Sequence, residues 1–235
     1  MPTPKPIAEV WKPELVRLPK LTFARRAFRA FAHNCIVKLT AKLLLNISVE
    51  GKQNLPQTGP LLIVINHIGD ADAVSVVSQL PCPPDAIGKI ELYDLPILGK
   101  LMDWYGVIWV HRGKPDIKAI RAALDGLAEN RIIIIAPEGR YSVTGALEEG
   151  NGGAAFLAYK SGAPVLPITV TGTENEHVYG ALKTFKRARV HVKVGNMLKI
   201  GEQFETRQEA IQKGTSQIMQ ALANLLPEKY RGEYL

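Results

Sequence analysis

A histidine and two aspartates lie where an apolar run ends, in the stretch LLIVINHIGDADAVSVVSQL at residues 61–80. A neutral imidazole is the usual general base near neutral pH, so His67 is a candidate for taking a proton from a substrate. A carboxylate bonded to the other ring nitrogen fixes the tautomer, and either Asp70 or Asp72 can serve. Asp70 is also a plausible helix N-cap. The alternative is a histidine that only completes the strand end, beside two ordinary acids at a helix start.

A second polar cluster follows another apolar run, in the stretch RIIIIAPEGRYS at residues 131–142. Glu138, Gly139 and Arg140 come directly after the aliphatic residues. An arginine beside a crevice suits a phosphate, because its planar guanidinium donates two parallel hydrogen bonds. The alternative is a turn in which Glu138 and Arg140 pair with each other. Two further cations, Lys89 and Arg112, lie near predicted strand ends and are weak signals when taken singly.

The elements that must position these residues alternate from residue 50 onward. Strands are predicted in LLIVI, DAIGKIEL, VIWVHR, RIIIIAPEG, PVLPITV and RVHVKVG, and helices over about 70–80 and in ILGKLMDWYG, PDIKAIRAALDGLAEN, GGAAFLAYKSG and TRQEAIQKGTSQIMQALANLL. Apolar strands without alternation predict an α/β fold, with a mostly parallel central sheet flanked by helices. Sites in such sheets lie outside the carboxyl ends of the strands, so both polar clusters are expected to face one crevice.

The excess positive charge is confined to the N-terminal segment. Residues 1–46 contain nine Lys/Arg and two acids, which accounts for the whole net charge of +7. Apolar residues recur there at helical spacing, namely Phe23, Ala27, Ala30, Phe31, Cys35, Leu39 and Leu43. This pattern favours a basic amphipathic helix in the interface of an anionic membrane, and its cations exclude a transmembrane span. The alternative is a helix packed on its own domain with a solvated basic face.

Several kinds of site and partner are not predicted. The chain has no G-x-S-x-G elbow and no G-x-x-x-x-G-K-[ST] phosphate loop. Its two cysteines do not form a disulfide framework, and no histidine pair has the i, i+4 spacing of a metal site. With 7% aromatic residues and no recognisable binding module, nucleic acid is not expected as a partner. Prolines in MPTPKPIAEV argue against a signal peptide.

Four ordered stretches together resemble the 1-acylglycerol-3-phosphate acyltransferase family, the glycerolipid acyltransferases of the PlsC type. NHIGDAD is similar to the N-H-x4-D block, with His67 and Asp72. KIELYDLPILGKLMDWYGVIWVHR is similar to the second block, in which the matching residues are Lys89, Glu91, Leu92, Pro96, Gly99, Gly106 and Arg112. APEGRYS resembles the F-P-E-G-T-R-S block, and APVLPITV resembles the fourth, a Pro-bounded apolar strand. The resemblance covers residues 45–200.

This resemblance implies an acyl transfer without an acyl-enzyme. His67 is the expected general base on the free sn-2 hydroxyl of 1-acylglycerol 3-phosphate, and Asp72, rather than Asp70, is the acid that orients it. The donor is an acyl thioester on acyl carrier protein or coenzyme A, with no cofactor and no metal, and phosphatidic acid is the product. Substrate binding is expected from Lys89, Arg112, Glu138, Gly139 and Arg140, with the three cations on the phosphate. Other acceptors, glycerol 3-phosphate or another lysophospholipid, and a non-catalytic lipid-binding protein are the alternatives.

The motifs depart from the family at two places. In the third block no threonine separates Gly139 from Arg140, so the arginine is displaced by one residue, and either the loop compensates or Tyr141 and Ser142 shift the acceptor preference. In the second block, His111 stands where the family often has aspartate. His111 is therefore a minor rival base, expected to be structural.

The resemblance also bears on domain organisation and location. We expect residues 1–46 to be a basic membrane-interface segment and residues 47–235 to be the α/β acyltransferase domain. The partners are then a membrane lipid acceptor, the anionic bilayer surface and the thioester carrier. The expected location is the cytoplasmic face of a membrane, as a peripheral or monotopic protein. Binding of nucleic acid or of acidic acyl carrier protein by residues 1–46 is the alternative use of the segment.

Overall fold

A computed structural model of the chain describes residues 12–111, 116–201 and 204–234. The helices in this part are α1 (Phe23–Phe31), α2 (Lys38–Leu44), α3 (Ala71–Val77), α4 (Leu98–Tyr105), α5 (Ile117–Ala128), α6 (Gly153–Ser161), α7 (Asn175–Lys183) and α8 (Arg207–Leu225). The strands are β1 (Leu45–Glu50), β2 (Leu61–Ile65), β3 (Asp85–Lys89), β4 (Ile108–Val110), β5 (Ile132–Ile135), β6 (Val165–Thr171) and β7 (Ala188–Val194).

The seven strands form one sheet in the order β1-β7-β6-β2-β5-β3-β4. Every neighbouring pair is parallel except β6 and β7, which run antiparallel. The carboxyl ends of β2, β5, β3 and β4 therefore meet at one edge of the sheet. This arrangement confirms the predicted α/β fold with a mostly parallel central sheet, and it brings the polar residues after β2 and β5 to the same edge.

Helices cover both faces of the sheet, as the unbroken apolar strands require. All five residues of β2 are buried. Leu62 and Val64 face a core completed by residues of α5, α6 and α8. Leu61, Ile63 and Ile65 face the opposite core, to which α3 and α7 contribute. Because successive strand residues point to opposite faces, a strand buried on both sides has no polar position, which explains its continuous apolar sequence.

Strand β1 was not predicted from the sequence. It lies at the edge of the sheet and alternates between inward-facing and exposed positions, which makes its pattern weaker than that of a central strand. β1 pairs in parallel with β7, from Leu45 opposite Ala188 to Glu50 opposite Lys193. The strand begins inside the segment 1–46, so this segment continues directly into the sheet.

The N-terminal helical segment packs on the sheet domain through a face that carries Arg29 and His33 beside Ala32 and Ala41. α1 and α2 are joined by π-helical turns at Ala32–Val37. Arg29 is only 4% exposed and forms an ion pair with Asp85, and His33 is fully buried and donates from Nε2 to the Leu80 carbonyl oxygen at 3.1 Å. All seven apolar residues that the helical spacing placed on one face are exposed to solvent. The apolar stripe thus faces outward, the reverse of a helix that buries its apolar side.

Candidate active site

His67 and Asp72 form a hydrogen-bonded pair just beyond the carboxyl end of β2. The imidazole Nδ1 donates to Asp72 Oδ2 at 2.8 Å. Asp72 lies in the first turn of α3 and is completely buried, whereas the His67 side chain retains 18% exposure. A proton on Nδ1 leaves the Nε2 lone pair as the basic site, and Nε2 has no hydrogen-bond partner within the described ranges. The geometry is that of a general base oriented by a carboxylate.

Asp72 also organises the loop between β2 and α3. Its Oδ2 accepts the backbone N–H groups of Ile68 at 2.7 Å and Gly69 at 2.9 Å. Its Oδ1 accepts a hydrogen bond from the hydroxyl of Thr173, a fully buried residue after β6. Thr173 was missed by sequence reasoning, because only the order of the strands shows that the end of β6 lies beside β2.

Asp70 does not cap α3 through its side chain, so the interpretation of this residue as a helix cap is wrong. Its backbone is helical, with φ −65° and ψ −25°, whereas a capping residue normally has extended dihedral angles that direct its side chain to the first amides. The carboxylate instead accepts two tyrosine hydroxyls, from Tyr141 and Tyr179, each at 2.8 Å. Tertiary contacts, rather than the helix end, therefore hold Asp70.

Asn66 fixes the position of the catalytic loop relative to the sheet. Its buried side chain donates to the Val170 carbonyl oxygen at 2.9 Å and accepts the Val170 N–H at 2.8 Å. The side-chain amide thus replaces the next backbone pair between β2 and β6. His67, the following residue, is consequently held at the point where the strand leaves the core.

Glu138 connects the loop after β5 to the backbone of His67. Its Oε2 accepts the His67 N–H at 3.1 Å, and its Oε1 accepts the Glu148 N–H at 3.2 Å. The carboxyl is 5% exposed, and burial raises its pKa from 4.5 to about 7, against the two backbone hydrogen bonds that lower it. The two polar clusters seen in the sequence are therefore in direct contact, through the hydrogen bond between the Glu138 side chain and the His67 backbone.

Arg140 pairs with Glu148. Its Nη2 lies 2.8 Å and its Nε 3.0 Å from Glu148 Oε2, and the side chain is 65% exposed. The alternative pairing of Arg140 with Glu138 is therefore wrong, because Glu138 is committed to backbone amides. Gly139 has a positive φ of 70°, and a Cβ there would lie 3.0 Å from Asn151 Nδ2, so the tight turn favours glycine.

Tyr141, the residue after Arg140, lies against His67. The ring centroids are 4.1 Å apart and the planes are tilted by 54°. APEGRYS has the same length as F-P-E-G-T-R-S, so without a gap Tyr141 stands at the arginine position of the block and Ser142 at its serine position. The Ser142 N–H donates to the His67 carbonyl oxygen at 2.8 Å. This contact joins the loop after β5 to the backbone of the loop after β2.

Three further residues singled out in the sequence are Lys89, Arg112 and His111. Lys89 ends β3, at the same edge of the sheet but two strands from β2, which corresponds to about 10 Å at the usual strand spacing. Arg112 lies outside the described residues. His111 donates from Nδ1 to Asp116 at 2.8 Å, and its Nε2 accepts the Lys12 backbone N–H at 3.2 Å. These bonds agree with the structural role expected for His111.

Within the described ranges, no group of three or more His, Cys, Asp or Glu side chains is placed to hold a metal ion. The chemistry that the described site itself offers is proton transfer at Nε2 of His67. A substrate hydroxyl brought within about 3 Å of that nitrogen is in position to be deprotonated.

The sequence was compared with models of known protein families. A family model described as acyltransferase matches residues 46–171, more than half of the chain. The chain belongs to the acyltransferase family. The matched residues of this acyltransferase-family chain run from β1 to the end of β6 and include His67, Asp72 and Glu138.

Individual relatives of this acyltransferase-family chain agree with that assignment. It is 31% identical over 153 residues to the chloroplastic 1-acyl-sn-glycerol-3-phosphate acyltransferase LPAT1 of Arabidopsis thaliana, covering 62% of this chain and 43% of the relative. It is 29% identical over 137 residues to the 1-acyl-sn-glycerol-3-phosphate acyltransferase of Borreliella burgdorferi, covering 56% and 53%. The chain thus spans about half the length of these curated relatives. They confirm the resemblance to 1-acylglycerol-3-phosphate acyltransferases.

A solved structure shares the fold. The 1-acyl-sn-glycerophosphate acyltransferase PlsC of Thermotoga maritima superimposes with a TM-score of 0.66 at 21% identity, covering 87% of this chain and 83% of that one. At this level of identity the likeness concerns the fold. It extends beyond the residues matched by the family model and includes most of the acyltransferase-family chain.

Proposed function

We propose that the protein transfers a fatty acyl group from an acyl thioester to the sn-2 hydroxyl of 1-acylglycerol 3-phosphate, forming phosphatidic acid. The observation that carries the proposal is the His67–Asp72 pair, with Nδ1 bonded to a buried carboxylate and Nε2 directed away from it. The similar proteins are 1-acyl-sn-glycerol-3-phosphate acyltransferases, and this likeness suggests the reaction class and the acceptor.

In the proposed mechanism, His67 Nε2 takes the proton from the acceptor hydroxyl as its oxygen attacks the thioester carbonyl carbon. The C–O bond forms and a tetrahedral intermediate results. The intermediate collapses with cleavage of the C–S bond, and the imidazolium returns the proton to the departing thiolate. Asp72 stabilises the imidazolium and keeps the ring in the tautomer that begins the cycle. Holding both substrates at one edge of the sheet makes the attack effectively unimolecular.

The acceptor phosphate is proposed to bind to Lys89, Arg112 and Arg140, beside the loop formed by Glu138 and Gly139. Arg140 is exposed and paired with Glu148, so a phosphate must replace or share that carboxylate. The exposed guanidinium remains accessible to a phosphate, with which it forms charge-assisted hydrogen bonds. Tyr141 at the arginine position of the motif keeps glycerol 3-phosphate or another lysophospholipid as the second candidate acceptor.

Membrane association is the second part of the proposal, with the protein peripheral or monotopic at the cytoplasmic face. No helix within the described ranges is both long and apolar enough to cross a bilayer. The outward stripe of the N-terminal helices includes Phe23 at 88% and Leu43 at 62% exposure. Trp104 of α4 packs edge-on against Phe28, with ring centroids 4.7 Å apart, so the exposed apolar surface continues onto α4. Ile97, before α4, is 75% exposed.

Basic side chains accompany this apolar surface, which suits an anionic bilayer. Lys20, Arg26, Lys42 and Lys100 are exposed on the same elements or beside them. Each cation near an anionic membrane surface contributes about 1 kcal/mol of attraction. Apolar side chains that insert and cations that remain at the headgroups are the two features of an interfacial helix. The lipid acceptor is then taken directly from the leaflet.

A donor-by-acceptor activity matrix tests the reaction. Purified protein is offered palmitoyl thioesters of coenzyme A and of acyl carrier protein, each with lysophosphatidate, glycerol 3-phosphate and lysophosphatidylcholine. We expect phosphatidic acid from lysophosphatidate and a loss of about 10²- to 10⁴-fold in the His67→Ala variant. Preference for another acceptor would correct the substrate. Binding of lysolipid with no turnover for any donor would overturn the enzyme assignment in favour of a lipid-binding protein.

Vesicle co-sedimentation tests the membrane proposal. Deleting residues 1–46 is unsuitable, because it removes the Arg29–Asp85 ion pair and the start of β1. We therefore use Leu39→Ser with Leu43→Ser, and as a matched control Met197→Ser, an exposed apolar residue near the amino end of β6. Vesicles rich in phosphatidylglycerol should retain the wild type and the control and lose the double variant. Equal binding by all three proteins would refute the proposed surface.

A further inference from the structure

A small polar cluster beside His67 has no part in the proton transfer described above. The Tyr141 ring packs against the imidazole with centroids 4.1 Å apart. The Tyr141 hydroxyl donates to Asp70 Oδ1 and the Tyr179 hydroxyl donates to Asp70 Oδ2, each at 2.8 Å. The Asp70 N–H in turn donates to Asn175 Oδ1 at 2.9 Å. A continuous chain of contacts therefore links the candidate base to helix α7.

The cluster joins three separate parts of the fold. Asp70 belongs to the loop that carries His67, Tyr141 to the loop after β5, and Tyr179 to α7. Hydrogen bonds to a charged carboxylate are about twice as strong as those between neutral groups, so Asp70 is an effective anchor for both hydroxyls. The hydrogen bond from the Ser142 N–H to the His67 carbonyl oxygen also fixes the backbone next to Tyr141.

A single hydrogen bond does not define the plane of an imidazole. The bond from Nδ1 to Asp72 fixes one atom of His67 and leaves the ring able to tilt about the N···O direction. Such a tilt displaces Nε2, on the far side of the ring, by the largest amount. A side chain packed against the ring restrains this motion, and the Tyr141 ring lies against the imidazole, with the centroids 4.1 Å apart and the planes tilted by 54°. Accurate placement of a reacting group matters, because a misplacement of about 1 Å can cost 10²-fold in rate.

We infer that Tyr141 is a positioning residue for His67, and that Asp70 and Tyr179 anchor it. The inference rests on the proposed function, since the orientation of the imidazole matters for turnover only if His67 is the base. Tyr141 acts through His67 and takes no proton. Its ring is the essential part, and its hydroxyl serves to hold the ring in place through Asp70.

Steady-state kinetics with lysophosphatidate and the donor used by the wild type test the inference. Tyr141→Leu removes the ring and should lower kcat by about 10- to 100-fold, with the KM for the donor unchanged. Tyr141→Phe keeps the ring and should retain most of the activity, with a loss of only a few-fold. Tyr159→Phe is the matched control, because this tyrosine lies on α6 against Gly201, and its kcat should equal that of the wild type.

A double-mutant cycle separates positioning from general destabilisation. Tyr141→Phe and Asp70→Ala each break the same hydrogen bond, so the double variant should lose no more kcat than Asp70→Ala alone. Additive losses would overturn the anchoring role of Asp70. If Tyr141→Leu keeps the wild-type kcat, or changes only the KM for the acceptor, the positioning role itself is overturned. The cycle also serves as the deciding measurement should Tyr141→Leu fail to fold.

A spectroscopic measurement tests the contact without substrate. The ring current of Tyr141 should displace the imidazole proton resonances of His67, which His67→Ala identifies among the five histidines. We expect Tyr141→Leu to shift these resonances and Tyr141→Phe to leave them nearly unchanged. Unchanged resonances in Tyr141→Leu would overturn the inference. Absence of acyl transfer by the wild type overturns the proposed function instead, and the two failures are thereby distinguished.

Discussion

Two histidine–aspartate pairs of the same spacing lie at the carboxyl ends of parallel strands. His67 follows β2 and His111 follows β4, and each donates from Nδ1 to an aspartate five residues later, at 2.8 Å in both cases. Both aspartates lie at the start of a helix. Asp116 accepts the N–H groups of the first turn of α5, whereas Asp72 accepts those of the loop before α3.

The two pairs differ at the second ring nitrogen. His111 Nε2 accepts the Lys12 N–H at 3.2 Å, so its lone pair is already used. His67 Nε2 has no such partner in the part of the chain that the structure describes, and the Tyr141 ring lies against the imidazole. A histidine and an aspartate at this spacing therefore specify an oriented imidazole. The hydrogen-bond partner of Nε2 decides the role of that imidazole. If a protein group occupies Nε2, the imidazole only joins two segments of the chain, and if Nε2 is open to substrate, the imidazole can act as a base.

The largest expected effect comes from removing each imidazole in turn. His67→Ala should lower kcat for acyl transfer by about 10²- to 10⁴-fold without loss of the fold. His111→Ala should leave turnover close to the wild type and lower the free energy of unfolding by about 1–3 kcal/mol, because two partly buried partners lose their hydrogen bonds. Activity assays measure kcat for both variants, and urea unfolding measures their free energies of unfolding. Equal kinetic losses in the two variants would abolish the distinction.

Replacing the two aspartates sharpens the same comparison. Asp72→Asn should reduce kcat by about 10³-fold, because an amide no longer selects the tautomer with Nε2 unprotonated. Asp116→Asn should keep the activity and lower the free energy of unfolding by about 1 kcal/mol, mainly through the weakened hydrogen bond with His111, because asparagine caps a helix as well as aspartate does. Steady-state kinetics and thermal melting of the two variants provide the test. An active Asp72→Asn protein would show that Asp72 only holds the loop.

Glu138, which accepts the His67 N–H, makes the stability of the protein depend on pH. Its pKa is raised from 4.5 to about 7, so between these values the folded protein retains a proton that the unfolded chain releases. Stability relative to Glu138→Gln should therefore fall by about 3 kcal/mol as the pH rises from 4.5 to 7, and be constant outside that window. Urea unfolding across this range measures it. A difference that rises with pH would contradict the buried, protonated state.

The smallest expected effect concerns the hydrogen bond that Asp72 accepts from Thr173, the buried residue after β6. Thr173→Val removes the hydroxyl that donates to Asp72 Oδ1 and leaves a buried oxygen with one partner fewer. We expect a cost of about 1–2 kcal/mol, seen as a decrease of up to about tenfold in kcat and a lower melting temperature. Thr169→Val, at a buried position within β6, is the control and should leave kcat unchanged. If Thr173→Val and Thr169→Val lower kcat equally, the loss reflects altered packing and not the hydrogen bond to Asp72.

The sequence by itself determined the fold class and the general location of the site. Continuous apolar runs such as LLIVI and IIII are stable in water only when both faces of the strand are covered, so they require a sheet between two layers of helices. Polar residues directly after such strands must lie at the carboxyl edge. His67, Glu138 and Gly139 were found in this way, and the family motif selected Asp72 over Asp70.

Only the tertiary structure decided what each side chain contacts. Glu138 binds the backbone 71 positions away, and Thr173 reaches Asp72 across 101 positions. No local pattern encodes such pairs, because they depend on which strands become neighbours. Helical spacing likewise defined the apolar stripe of the N-terminal helices but not its direction. Burial of Arg29 against Asp85 turned that stripe outward, because a charge is buried only where an opposite charge meets it.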